Sequence, residues 1–440
     1  MSQEINKAEK QDLSLVVQAI GTDLEHTQVR VVASANADML FHYWKVGHFI
    51  LYLQKKEGWG SKVIDNLSKA IRSKYPDKKG YSRRNIFYMC QFASAYPLEV
   101  LKEMDRIDSL LTTPTVEKVL SLTNELNQIV QQPVALIQAT ENQSNTITQQ
   151  PVAQLEEVTE TLSAIYHCDI SQIEEIFKHS AIVRTNWASH VILLNSKLPL
   201  GECYWYITQA VANGWSRNVL QMQIETNLFA RQITAKKVSN FSVRLPKPQS
   251  DLANYLMKDP YIFDMMGQTD KMAERDVERQ LVSHITKYLL EMGSGFAFVA
   301  QQKHFEVGDS DFYADLILYN IQLHAYVVIE LKATPFKPEY MGQLNFYINV
   351  VDDTLRGEHD NNTIGLLLCN GGDKVVAQYA LSGYDQPIGV SDYQLSKAIP
   401  DNLKSALPTV EEVEEELSKI IDKNIYTTFD DEPVSVQTIE

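Results

Sequence analysis

Two carboxylates and an amine stand in apolar surroundings in the last third of this chain. Asp315 lies inside Phe312 to Tyr319 (FYADLILY), and Glu330 and Lys332 end the run Ala325 to Lys332 (AYVVIELK). Ionisable groups beside a core are costly unless they are paired or bound to an ion, so their presence asks for a role. Two converging carboxylates repel each other unless a cation sits between them, and hard oxygen ligands select Mg2+ or Mn2+. An amine beside that cation can orient a water for attack on phosphorus, while the metal screens the charge developing on the phosphate oxygens. That is the chemistry of phosphodiester hydrolysis. The alternative for Glu330 and Lys332 is a salt bridge at a strand edge facing solvent, because Glu-x-Lys arises from composition alone.

Both segments have the pattern of strands buried in a sheet covered on its two faces. Side chains alternate along a strand, so Glu330 and Lys332 share one face and Leu331 takes the other. The turn-like Asn320-Ile321-Gln322 predicts a hairpin that brings Asp315 near Glu330. Upstream, Val277, Leu281, Ile285, Tyr288 and Leu289 recur at three and four before Gly293, which predicts a helix over Asp276 to Met292. Glu278 falls beside its apolar stripe, able to reach a sheet end or to stand as an exposed charge. Gln343 and Tyr347, four apart, share a helical face. Asp309 and Asp311 follow Gly308 in turn-rich sequence and read as polar hairpin residues.

The 440 residues leave room for two or three domains, and 44% hydrophobic content supplies a sizeable core. No apolar stretch approaches bilayer-spanning length, and the polar opening MSQEINKAEK carries no apolar signal segment. Cys90, Cys168, Cys203 and Cys369 lack the paired spacing of a zinc module or disulfide framework. The expectation is a cytoplasmic protein without membrane association. His284, His304 and His324 have no metal-ligand spacing, and no glycine-rich phosphate loop supports nucleotide hydrolysis.

A net charge of −16 at first opposes nucleic-acid binding, but from Leu407 onward ten acids face only Lys419 and Lys423. Elsewhere basic residues cluster. Arg72, Lys74, Lys78, Lys79, Arg83 and Arg84 surround the single acid Asp77, and Arg231, Lys236, Lys237, Arg244 and Lys247 occur without one. Phosphate binding is local, so such clusters suffice for it; the alternative is solvated surface. Residues 37–47 and Lys62 to Tyr75 predict helices, Pro76 and Gly80 break the chain, and Ser82 reads as the N-cap of a helix opening with Arg83 and Arg84. That is the layout of a DNA-reading helix-turn-helix or winged helix, with a purely structural bundle as the alternative. The stretch from about Leu122 to Glu160, with QQPVA twice, reads as a flexible insert and a poor core former. Trp187, Trp205 and Trp215 then mark a second helical section that carries Arg217 and Arg231. These tryptophans read as core anchors. Leu245 to Ala253 (LPKPQSDLA) reads as a proline-marked connector.

The region from about Lys258 to Leu395 resembles the YhcG-type family, a bacterial branch of the PD-(D/E)XK nuclease superfamily. The likeness rests on KDPYIFD (Lys258 to Asp264), GFAFVAQQ (Gly295 to Gln302), FYADLILYN (Phe312 to Asn320), VIELKATPFKPEYMGQLNFYINVVDD (Val328 to Asp353) and IGLLLCN (Ile364 to Asn370). Upstream, GWGSKVIDNLS, KGYSRRN, WASHVILL, WYITQAV and NGWSRNVL resemble the helical domain that accompanies it. The resemblance implies an α+β multidomain chain with a helical, winged-helix or helix-turn-helix-like N-terminal region and a restriction-endonuclease-like αβββαβ core. It makes Asp315, Glu330 and Lys332 the signature triad and Glu278 the best match for a helix-borne acid, with Glu291 the weaker candidate. Gln343 is a secondary site residue, and Gln301 stands where many relatives carry an arginine.

The expected division is 1–97 helical DNA-binding, 98–180 insert with helices, 181–250 second helical part, 251–400 nuclease and 401–440 acidic tail. In the leading function, an Mg2+- or Mn2+-dependent DNA nuclease, Asp315 and Glu330 hold the metal with the Leu331 carbonyl as a further ligand. Lys332 aligns the water, and Glu278 and Gln343 support the site. Candidate nucleic-acid contacts are Arg72, Lys74, Lys78, Lys79, Arg83, Arg84, Arg217, Arg231, Lys236 and Lys237. Partners are DNA, a second copy of the chain, and proteins met through the insert or tail. The alternatives are an idle DNA-binding subunit with a nuclease fold and a protein-interaction scaffold.

Overall fold

The computed structural model describes residues 34–52, 62–76, 80–110, 114–130, 162–164, 166–264, 289, 291–293 and 295–396. Glu278, Lys78, Lys79, the QQPVA repeats and the acidic tail lie outside them. Of the helix expected over Asp276 to Met292, the described residues hold only Leu289, Glu291 and Met292, all helical.

The first half is helical: α1 (34–52), α2 (Lys62–Lys74), α3 (Arg83–Ala95), α4 (Leu98–Leu110), α5 (Val116–Val130), α6 (Ile170–His179), α7 (Trp187–Ser196), α8 (Leu200–Ala212) and α9 (Arg217–Glu225). Leu40, Phe41 and Trp44 of α1 are buried with Phe92, Phe177, Tyr204 and Trp205 in one core. Their recurrence at one face is the helical period that the sequence carries. Trp44 stays inside because its indole N–H donates to the Tyr96 carbonyl at 2.7 Å. Close helix crossings depend on two glycines. A Cβ at Gly47 would lie 2.1 Å from the Met89 carbonyl oxygen, and one at Gly201 would lie 2.2 Å from that of Thr123. Ser82 caps α3 as its position predicts, its hydroxyl accepting the Asn85 N–H at 3.2 Å.

Three expectations change. Among the described residues no strand precedes Val238, so the winged-helix option has no wing there. The insert does not begin at Leu122: α5 runs on to Val130 and buries Leu122, Thr123 and Leu126, because its apolar residues recur at helical spacing despite the polar composition. The proline-marked connector shrinks to Leu245–Pro248, between α10 (Phe241–Arg244) and α11 (Gln249–Leu256).

The second half is built on a mixed sheet. Its strands are β1 (Val238–Ser239), β2 (Tyr261–Asp264), β3 (Phe296–Val307), β4 (Ser310–Asn320), β5 (Ala325–Lys332), β6 (Ile364–Cys369) and β7 (Ile388–Ser396). The order is β1-β7-β6-β5-β4-β3, with β2 alongside the end of β7. β3, β4 and β5 form an antiparallel meander, as the expected hairpin requires. β5, β6 and β7 are parallel, and α12 (Glu339–Thr354) and α13 (Lys374–Leu381) make the crossovers that parallel strands need.

The central strands are apolar throughout because both faces are covered. Leu316, Leu318, Ile329, Leu331, Leu366 and Leu368 pack towards Phe241, Ala253 and Met257. Ile317, Val328, Leu367 and Cys369 pack under Met341, Leu344, Tyr347 and Ile348 of α12.

Candidate active site

β4 and β5 are paired from Asn320↔Ala325 to Leu316↔Ile329, and the next step of that register sets Asp315 opposite Glu330. β5 continues to Lys332 beside β6 instead, so β4 leaves it at Asp315. Ala314 and Ile317 both pack into the core under α12 although they are three apart, so strict alternation breaks between them. Asp315 sits in that break. Its Oδ2 accepts the Leu331 N–H at 2.9 Å, taking a backbone donor on the edge that β4 has left. Its Oδ1 accepts the Gln302 side-chain amide at 3.1 Å. Gln302 has φ +43 and lies between the ladder pairs Gln301↔Leu316 and Lys303↔Ala314.

Glu330 is fully buried and Lys332 is 9% exposed, so they are not a solvent-facing pair at a strand edge. The Lys332 ammonium donates to Glu330 Oε1 at 2.9 Å. It also lies 5.4 Å from the ring centre of Tyr340, whose hydroxyl is 2.6 Å from Thr334 Oγ1. The strand end is tied down by the Asn370 N–H, which donates to the carbonyls of Lys332 and Thr334 at 3.2 Å each. Gln343 is exposed on α12, its amide 3.5 Å from the hydroxyl of buried Tyr347.

These residues fit a hard divalent cation. Asp315 offers a half-buried carboxylate, Glu330 a buried one and Leu331 a main-chain carbonyl, an all-oxygen set of the kind Mg2+ and Mn2+ take. Among the described residues no group of three or more His, Cys, Asp or Glu forms a metal cluster. The expected helix-borne acid, Glu278, lies outside them.

Several predicted residues do other work. Glu291 is buried, and its Oε1 accepts the Ile262 N–H at 3.0 Å and the Arg231 guanidinium. Lys258 is 3.8 Å from its other oxygen. The weaker candidate for the helix acid is thus the counter-ion of a buried charge cluster. Arg231, expected to bind nucleic acid, is 4% exposed and also donates to the carbonyls of Thr226 at 3.0 Å and Pro260 at 3.2 Å. Charge counting had no access to that burial. Lys237 is half-buried and otherwise engaged: its amine donates to the Asn254 carbonyl, and desolvation pushes its pKa down to about 7. Burial likewise lowers Lys258 to about 8. Arg72, Lys74, Arg84, Arg217 and Lys236 are exposed, and exposed Arg83 reaches Asp65 at 3.0 Å.

Gln302 and Tyr340 were missed from sequence. Centring the β3–β4 hairpin on Gly308-Asp309 would have placed Gln302, not Gln301, opposite Asp315. Tyr340 meets Lys332 only through the fold of the α12 crossover, and no local spacing announces it.

Two family models match the chain. Residues 254–408 match the YhcG PDDEXK nuclease domain, and residues 19–121 match the DUF1016 N-terminal domain. A relative from Escherichia coli (strain K12), named "Putative nuclease YhcG", is 28% identical over 203 residues, covering 46% of this chain. The chain spans about half the length of that relative, 54%. Among solved structures, a repair endonuclease from Pyrococcus abyssi is 15% identical over 30% of this chain and 49% of that chain. Its TM-score of 0.20 is too low for that likeness to bear on fold or chemistry. The N-terminal match precedes the nuclease-domain match in the expected order, and Asp315, Glu330 and Lys332 all lie inside the latter, so residues 254–408 carry a YhcG-type PD-(D/E)XK nuclease domain.

Proposed function

We propose that this chain hydrolyses DNA phosphodiester bonds with the help of a divalent metal. One observation supports this most: Asp315 follows in register with Glu330 where β4 and β5 part, inside the nuclease-domain match. Asp315, Glu330 and the Leu331 carbonyl would hold Mg2+ or Mn2+. When bound, the ion would polarise the scissile phosphate and lower the pKa of a coordinated water. Lys332, kept in place by Glu330 and the Tyr340 ring, orients the attacking water. Attack forms a new P–O bond and breaks the bond to the leaving sugar oxygen, which takes up a proton. Glu278 and Gln343 complete the site.

In the proposed division, residues 251–400 cut, while the helix-turn-helix region and the second helical part hold the duplex. The contacts would be Arg72, Lys74, Lys78, Lys79, Arg83, Arg84, Arg217 and Lys236. Exposed lysines and arginines can bind phosphate whatever the chain's overall charge, because the interaction is local.

The test is direct. Purified protein is incubated with linear, supercoiled, single-stranded and branched DNA in Mg2+, Mn2+ or EDTA. Cutting of any of them that needs the metal supports the proposal. Intact substrates in both metals would contradict it.

A further inference from the structure

The Asp315 carboxylate does not hang freely at the strand edge. Its two oxygens are held from opposite sides, Oδ2 by the Leu331 N–H at 2.9 Å and Oδ1 by the Gln302 amide at 3.1 Å. A carboxylate offers no proton at neutral pH, so the amide nitrogen of Gln302 must face it. Each carboxylate oxygen has two lone-pair directions, so accepting one hydrogen bond does not by itself bar it from a cation.

Gln302 also holds an unusual backbone. Its φ of +43 falls in the left-handed region, which a residue with a Cβ adopts at a cost. Glycine or asparagine would occupy this position more easily. Neither could deliver the same amide, since glycine has no side chain and asparagine is one methylene shorter. Strained backbone of this kind collects at sites where surrounding structure fixes a group for use.

We propose that Gln302 is a positioning residue for the metal: it fixes the orientation of Asp315 so that the carboxylate meets the ion ready-aligned. The proposal rests on the assignment of Asp315 as a metal ligand. Partners that orient a metal-binding group commonly change affinity by about 10- to 100-fold when removed, and the exposure of Gln302 places it towards the lower end.

The test compares wild type with Gln302→Asn and Gln302→Gly, measuring Mn2+ affinity without DNA by electron paramagnetic resonance, and thermal unfolding in EDTA. Both variants suit a left-handed φ and are expected to unfold at or above the wild-type temperature. Their Mn2+ affinity is expected to fall by about 10-fold. Wild-type affinity in both variants would overturn the role of Gln302 while leaving the metal site standing. An Mn2+ site unaffected by Asp315→Asn, or no Mn2+ binding by wild type, would instead remove the assignment on which the proposal rests. Weaker binding matched by an equal loss of stability in EDTA would also overturn it, as a merely structural effect.

Discussion

The Asp315 carboxylate bonds to the backbone N–H of Leu331, the residue between Glu330 and Lys332, at 2.9 Å. One hydrogen bond thus ties the acid of β4 to the strand that carries the other two members of the triad. The point where the two strands separate thus holds Asp315 against the backbone of the strand end that carries the Glu330–Lys332 pair.

Glu330 and Lys332 form a buried pair whose value to the fold is small. Breaking such a pair leaves an uncompensated charge and typically costs about 3–5 kcal/mol, whereas replacing both partners by apolar residues is often neutral or stabilising. Lys332→Met should therefore lower stability by several kcal/mol, and the double variant Glu330→Leu/Lys332→Met should recover it. Urea unfolding measures both. Neither variant should cleave DNA, with a loss of about 100-fold or more if Lys332 manages proton positions. A double variant that still cuts would contradict the role given to the pair.

Arg231 and Glu291 join the helical half to the sheet half, because Arg231 lies between α9 and β1 and Glu291 accepts from the β2 backbone. Glu291→Gln should cost about 3–5 kcal/mol by leaving the arginine charge buried. The slope of DNA affinity against salt should not change, since neither residue reaches a phosphate. A lowered slope would return Arg231 to the binding surface.

Arg83 and Arg84 open α3 and are exposed. Replacing both by alanine should weaken DNA binding on all sequences alike and reduce the salt slope by about one for each phosphate no longer neutralised. An unchanged slope would assign α2 and α3 to structure alone.

Lys237 gives a pH signature. Its pKa falls to about 7 in the folded chain because its amine is buried. Below that pH it is charged in both states, and the full cost of burying the charge opposes folding. From pH 7 towards the ordinary lysine value the unfolded state holds more protons, so stability rises with pH, by up to about 1.4 kcal/mol per unit. Wild type should gain on Lys237→Met between pH 6 and 9 in urea unfolding. A constant difference would contradict the depressed pKa.

Much of this arrangement was legible in the sequence. The apolar runs around Asp315 and Glu330, the turn between them and the alternation of Glu330, Leu331 and Lys332 are local signals, and the strands follow them. Ser82 announced its cap in the same way. What stayed hidden depended on contacts distant in sequence. Arg231 and Lys237 look like surface charge in a basic stretch until the fold buries the first against Glu291 and half-buries the second against Asn254. Tyr340 reaches Lys332 only after the chain has crossed over to α12. The break in alternation at Asp315 arises because β4 leaves β5 there, which no property of FYADLILY states in advance.

The central claim is that Asp315 and Glu330 share one divalent ion. Crystals soaked in Mn2+ and measured at the manganese absorption edge test it most directly. The account predicts an anomalous peak within about 2.0–2.4 Å of an oxygen from each carboxylate. Manganese bound elsewhere, with Asp315 and Glu330 both clear of it, would contradict the account.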